Sequence, residues 1–287
     1  MKQKSKIPVP AGTLVLIGGK ENKGEDGAPG RETPDGFIPE SILQLFASLP
    51  KKKSAAIFVV TSGSTQQEES FADYKRVFHE CDQNNVQHMH HNTREEVLND
   101  ECEKLVAEAD AFFFAGGDQL VLTSLYGGTN FLKALKEKYI HNKFIIGGTS
   151  AGAMAMSTPM IYAGNQEVQQ VSGEIKVTTG LEFLRGVCID THFVHRSRFV
   201  RLAQVIATNP SCIGLGIEED TAVIVRKGIE CEVQGSGTVI QINGFNITES
   251  NMKDFTEKKP FTVRNLEVDI LAAGDTFQIK VTNPPHQ

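Results

Sequence analysis

Short apolar runs rich in β-branched residues alternate, over the first 220 positions, with longer stretches whose apolar residues recur every three or four. The short runs predict strands at 13–17, 55–60, 86–90, 111–115, 143–146, 187–190 and 212–217, since a run of four to eight such residues bounded by turn formers suits a strand. The longer stretches predict helices at 38–48, 66–84, 93–108, 119–125, 130–139, 151–157 and 196–207, and Thr93 with Glu96 supplies a capping box for the third. Strand, helix, strand in repetition implies an α/β fold, with a mainly parallel sheet covered by helices on both faces. Beyond residue 220 the pattern changes to alternating strands separated by Gly, Asn and Lys-Gly turns. This predicts an antiparallel, hairpin-rich C-terminal region that extends or flanks the same sheet. The expected organisation is a single domain over 1–287, with an α/β core at 11–220 and a β extension at 221–281.

The segment 19–36 is rich in Gly, Pro and charge and has no apolar period, which predicts a mobile loop. It follows the first strand, where open α/β sheets place their ligands. Composition narrows the functional classes. With 40% hydrophobic and 22% charged residues the chain has the balance of an ordinary globular protein. A formal charge of −6 argues against binding to nucleic acid or an anionic membrane and tolerates a cationic substrate. Five widely spaced cysteines without a C-x-x-C pair give neither a disulfide framework nor a zinc motif. The stretch MKQKSKIPVPAGTLVLIGG reads as a first strand ending in a turn rather than a signal peptide, so the cytoplasm is the expected location.

The chemistry centres on GGTSAGAMAMS, residues 147–157. Gly148-Thr149-Ser150-Ala151-Gly152 fits G-x-S-x-G between a predicted strand and a predicted helix, the context of a strained turn that exposes a nucleophilic serine. Ser150 as a simple helix N-cap is the alternative. A nucleophilic serine needs a base at a neighbouring strand end. His192 directly follows the 187–190 strand, whereas His195 enters the next helix and the HMHH run at 88–91 reads as a solvated strand edge. Glu218, Glu219 and Asp220 end the following strand and offer an acid to orient the imidazole; spacing alone does not choose among them. The resulting order Ser, His, acid differs from the Ser, acid, His order of α/β-hydrolases.

Two further stretches fit the same site. FFFAGGDQ places Gly117 and Asp118 where backbone N–H groups face the serine turn, completing an oxyanion hole with Ala151, and Gln119 where it can hold a substrate carbonyl or carboxylate. A turn with an Asp N-cap is the other reading. HRSRFVR places Arg196, Arg198 and Arg201 at a helix start, with Arg198 and Arg201 on one face, where forked guanidinium groups bind carboxylates.

With IGGKE, FFFAGGDQL, the serine turn, VCIDTHFVHRSRFVRLAQVI and GLGIEEDTAVIV in order, the sequence resembles the serine-peptidase family that contains cyanophycinases and aspartyl dipeptidases. The resemblance runs through about residue 281. It implies a fold like the class I glutamine amidotransferases (flavodoxin-like), a homodimer, and no metal or cofactor. It implies Ser150 as nucleophile, His192 as base and Glu219 as orienting acid, with Gln119, Asp190, Thr191, Arg196, Arg198 and Arg201 around the substrate. It also implies the reaction: exopeptidase hydrolysis of the aspartate backbone of cyanophycin to β-aspartyl-arginine, or, in the alternative, of aspartyl or isoaspartyl dipeptides. Two positions depart from the family pattern, Thr191 for a glutamine and Val121 for an arginine. Glu21, Glu25 and Asp26 are candidates for the pocket of the substrate guanidinium.

Overall fold

The computed structural model of the chain describes residues 8–23, 42–99, 102–164, 170–252 and 259–280. Five strands, β1 (Thr13–Ile17), β2 (Ile57–Val60), β3 (Val86–Met89), β4 (Ala111–Phe114) and β5 (Ile145–Thr149), pair in parallel in the order β1-β5-β4-β2-β3. Helices α1 (Ile42–Ser48), α2 (Gln67–Glu80), α3 (Arg94–Asn99), α4 (Cys102–Glu108), α5 (Gln119–Tyr126), α6 (Asn130–His141) and α7 (Ala151–Ala155) connect them. The predicted helix at 93–108 corresponds to α3 and α4, and its capping box is present: Glu96 N–H donates to Thr93 Oγ1 at 3.2 Å and Thr93 N–H to Glu96 at 3.2 Å.

β4 shows why the sheet is covered on both faces. In AFFF, Phe112 and Phe114 pack among Tyr126, Phe131 and Leu135 of α5 and α6, while Phe113 points the other way against Phe46 of α1 and Phe78 of α2. Alternate side chains leave a strand on opposite faces, so a strand apolar at every position needs helices on both sides.

The rest of the chain departs from a single extended sheet. β6 (Ser157–Thr158), β7 (Met160–Ala163), β8 (Lys176–Thr178), β9 (Leu184–Arg185), β10 (Val187–Thr191), β11 (Ile213–Ile217), β12 (Thr221–Arg226), β13 (Glu230–Gly235), β14 (Val239–Asn243), β15 (Glu249–Ser250), β16 (Val263–Arg264), β17 (Glu267–Leu271) and β18 (Thr276–Gln278) follow, with helix α8 (Phe199–Thr208) between β10 and β11. β12, β13 and β18 extend the first sheet antiparallel from β1. β10 and β11, expected in that sheet, instead pair in parallel within a second one of order β17-β14-β11-β10-β6-β9. The hairpin strands beyond residue 220 are thus shared between two sheets. α8 begins at Phe199, three residues later than predicted, because residues 192–198 form turns anchored by hydrogen bonds from Arg196 N–H to His192 and from Arg198 N–H to Phe193. Among the described residues no helix is long and apolar enough to cross a membrane.

The two sheets meet at the carboxyl end of β1. Gly18 O accepts from His192 N–H and Gly19 O from Asp220 N–H, both at 2.9 Å, while Ser150 N–H donates to Ile17 O at 2.9 Å. Parallel β1 and β5, and parallel β10 and β11, therefore deliver their carboxyl ends to one point.

Candidate active site

Ser150 sits at that point with φ 51° and ψ −116°, in the sparsely allowed left-handed half of backbone space. The flanking glycines are required by contact. A Cβ at Gly148 would lie 2.6 Å from the Gly152 carbonyl carbon, and one at Gly152 would lie 2.1 Å from Phe114 O, so no side chain fits between β5 and α7 or between α7 and the end of β4. The N-cap alternative is not what the structure shows. The Ser150 side chain caps no helix N–H; its Oγ lies 2.9 Å from His192 Nε2.

His192 Nδ1 lies 2.6 Å from Glu219 Oε1, completing the relay Ser150–His192–Glu219. The neighbouring acids have other tasks. Glu218 accepts backbone N–H groups of Val194 and His195 and pins the turn after the imidazole, and Asp220 accepts from Asn22 N–H and Ser236 Oγ. His195 is well exposed, and its Nδ1 stands 4.0 Å from Glu219 Oε2. Burial depresses the His192 pKa below the ordinary imidazole value; the Glu219 hydrogen bond and charge oppose this, and Arg196 and Arg198 reinforce it. Burial alone would raise Glu219, yet bonds and charges from His192 and from Lys20, 3.2 Å away, hold it low. The acid is thus ionised and the base neutral near pH 7, the state in which His192 can take the Ser150 proton.

Sequence reasoning missed one contributor, Gly19. Its φ is +101°, and a Cβ there would stand 2.4 Å from His192 Cε1 and 2.5 Å from Nε2. The imidazole occupies the space a side chain there would need. Gly19→Ala is expected to displace it and to slow modification of Ser150 by a serine-directed inhibitor about 100-fold, the usual effect of an ångström-scale misplacement.

A cleft of about 280 Å³ opens beside Ser150, lined by Gly117, Gln119, Ala151, Thr191 and the three arginines, with Tyr162 on its wall. Gln119 Nε2 donates to Ile161 O at 2.8 Å, which fixes the amide. Asp118 does not offer its N–H to the site, because that group donates to Gly63 O at 2.9 Å and its carboxylate caps α5. Thr191 is fully buried, lines the cleft, and its Oγ1 has no hydrogen-bond partner among the described residues.

Asp190 is placed differently from the expected substrate contact. It is 0% exposed and lies behind the cleft, accepting from Arg201 Nε at 2.6 Å, from Arg201 Nη2, and from Arg198 Nη1 at 3.1 Å. Arg198 also donates to Thr191 O, and Arg201 to Gly164 O. Asp190 therefore holds two guanidinium groups at the cleft wall. Burial pulls Arg198 down to about 10, which still leaves it cationic at neutral pH.

Of the acids expected for a guanidinium pocket, Glu21 is buried and accepts from Tyr74 OH and Thr149 Oγ1, each at 2.6 Å, so it braces β5 against α2. Glu25 and Asp26 lie outside the described residues. Val121 is exposed on α5 and is not among the residues lining the cleft.

A model of peptidase family S51 matches residues 35–230. The chain is 29% identical to the cyanophycinase of Nostoc sp. over 266 residues, covering 93% of this chain and 85% of that protein. It is 28% identical to the cyanophycinase of Geminocystis herdmanii over 272 residues, 95% of each. A crystal structure of a peptidase from an acI-B1 Actinobacterium superposes with a TM-score of 0.61 at 19% identity, covering 95% of this chain and 98% of that one; this likeness concerns the fold.

Proposed function

Because the chain belongs to peptidase family S51 and is a serine-type peptidase, we propose that it is an exopeptidase that hydrolyses the aspartate backbone of cyanophycin to β-aspartyl-arginine through an acyl-enzyme. The observation that carries this reading is the Ser150–His192–Glu219 relay opening onto a cleft walled by Arg196, Arg198 and Arg201. Its names come from relatives called cyanophycinase.

In the proposed mechanism His192 Nε2 takes the Ser150 proton as Oγ attacks the scissile α-peptide carbonyl, forming the tetrahedral adduct. Backbone N–H groups of Gly117 and Ala151 stabilise its oxyanion. His192 then protonates the departing amine, and the C–N bond breaks to leave the acyl-enzyme. Water, deprotonated by His192, attacks the ester and releases Ser150. Glu219 keeps the imidazole in the tautomer with Nε2 free to accept. The arginines take the free carboxylate of the chain end, Gln119 and the Thr191 hydroxyl take substrate polar groups, and Asp190 acts as a positioning residue. The reading extends to a single domain of the class I glutamine amidotransferase type, working as a cytoplasmic homodimer.

Two results test it. Purified protein incubated with insoluble cyanophycin is expected to release β-aspartyl-arginine as the small product, identified by mass. Release of nothing from the polymer together with cleavage of aspartyl dipeptides would replace it with the dipeptidase reading. Thr191→Val, which removes one hydrogen bond of about 1 kcal/mol, is expected to raise KM about fivefold while leaving kcat nearly unchanged.

The pH profile follows from the charges around His192. Its pKa lies below the ordinary value of about 6.5, so kcat/KM is expected to rise with pH through a midpoint under that value. Arg196 is one of the cations that disfavour the protonated ring. Arg196→Gln should move the acid limb to higher pH, whatever it does to KM. A limb that stays in place or moves down would show that Arg196 does not face the base.

A further inference from the structure

A second cluster of chemically active side chains lies away from the cleft, at the edge strand of the first sheet. Donor atoms of Glu68, His88 and His90 all fall within 4.8 Å of one another, and among the described residues this is the one group of three metal-ligating side chains so placed. The fold explains the grouping. β3 ends the sheet, and His90 directly follows its last residue, Met89, so that His88 and His90 come together with ring centroids 4.7 Å apart. The first turn of α2 brings Glu68 over them, its Oε1 3.7 Å from His88 Nδ1.

The surroundings of His88 are those of a ligand already oriented. Its Nε2 lies 2.7 Å from Thr61 Oγ1, and Thr61 is fully buried. Its ring stacks on Phe71 with centroids 4.2 Å apart and planes 4° apart. Metal-bound histidines nearly always have the second ring nitrogen tied down, and that bond sets which nitrogen presents its lone pair. With Nε2–H donating to Thr61, the Nδ1 lone pair faces a carboxylate at a distance too long for a hydrogen bond. Two ligands at about 2.05 Å from a tetrahedral ion are separated by about 3.4 Å, close to the 3.7 Å observed. The strongly exposed Glu68 and the exposed His90 are free to close the remaining gap.

We propose that Glu68, His88 and His90 form a binding site for a divalent transition-metal ion of the zinc class, with Thr61 orienting His88 and water completing the coordination. Two imidazoles and one carboxylate are the donor set such ions favour over magnesium or calcium. The ion would tie the start of α2 to the edge strand β3. This is independent of the peptidase reading, since none of the three residues lines the cleft.

The test is calorimetric titration of the chelator-stripped full-length protein with zinc chloride, alongside thermal unfolding with and without zinc. One equivalent is expected to bind and to raise Tm. His90→Ala, at an exposed position, should weaken that equivalent at least tenfold and abolish the Tm rise, and Glu68→Gln should weaken it likewise. Thr61→Val, touching no metal, should weaken binding 10- to 100-fold; if it lowers Tm without zinc, the His90→Ala result decides. A His79→Ala control should bind as the unaltered chain does. No saturable equivalent in the unaltered chain, or unchanged binding after combined His88→Ala and His90→Ala replacement, overturns the site.

Discussion

Ser150→Ala is expected to lower kcat on cyanophycin about a millionfold, the scale on which nucleophile removal acts in serine peptidases, with Tm nearly unchanged. The two halves of this expectation rest on different atoms. The fold at the turn is held by backbone groups: Ser150 N–H donates to Ile17 O and Ser150 O accepts from Met154 N–H, at 2.9 and 3.0 Å. Alanine keeps both, and its Cβ is no worse than that of serine at the same φ. The chemistry depends on Oγ alone, whose sole described partner is His192 Nε2. The measurement is product release by mass spectrometry over hours, beside unfolding curves of the two proteins. Residual activity within a thousandfold of the unaltered enzyme would mean that another group attacks the peptide.

The second large effect is on stability. Asp190→Asn is expected to cost about 3–5 kcal/mol, because removal of the buried carboxylate strips two largely buried guanidinium groups, Arg198 and Arg201, of their counter-charge. Asp190 is fully buried, and the Arg201 side chain is 9% exposed. The amide keeps the shape of the carboxylate but cannot accept from Arg201 on both atoms and from Arg198 as well. For a chain of this size the loss corresponds to a Tm lower by on the order of 10 °C. Replacing Asp190 and Arg201 together should cost less than the two single losses added, since the partner is then no longer stranded. Strict additivity would show that the pair is not coupled. KM should rise in Asp190→Asn as well, through arginines that lose their hold.

What was legible in the sequence was legible for local reasons. Helix and strand periods follow from side-chain direction within one element, and β1, read at 13–17, spans Thr13–Ile17. The serine turn declared itself because the close approach of α7 to β5 and to the end of β4 leaves no room for side chains at Gly148 and Gly152, so composition records a steric fact. The capping box likewise lies within four residues.

What the tertiary structure decided depends on contacts between distant segments. The apolar run of β10 carries no mark of its partner, and only assembly shows that it leaves the first sheet and returns His192 through the hydrogen bond to Gly18 O. Three adjacent acids at 218–220 look alike in sequence. Successive residues at a strand end point in different directions, and this gives Glu219 to the imidazole, Glu218 to the backbone of residues 194 and 195, and Asp220 to the first loop. The arginines read in sequence as forked groups for a substrate carboxylate; the buried Asp190 behind them ties Arg198 and Arg201 to a carboxylate of the protein itself. Gly19 read as a turn residue, yet its missing side chain is what lets the base lie against β1. The HMHH run read as a solvated edge because the sequence shows no further ligand at helical spacing. Folding buries His91 against Tyr126 and Cys102, and turns His88 towards a glutamate twenty residues earlier. Periodicity therefore determined the elements and the glycine pattern of the turn determined the serine at its tip, and long-range packing, which no local pattern encodes, determined what each charged group faces.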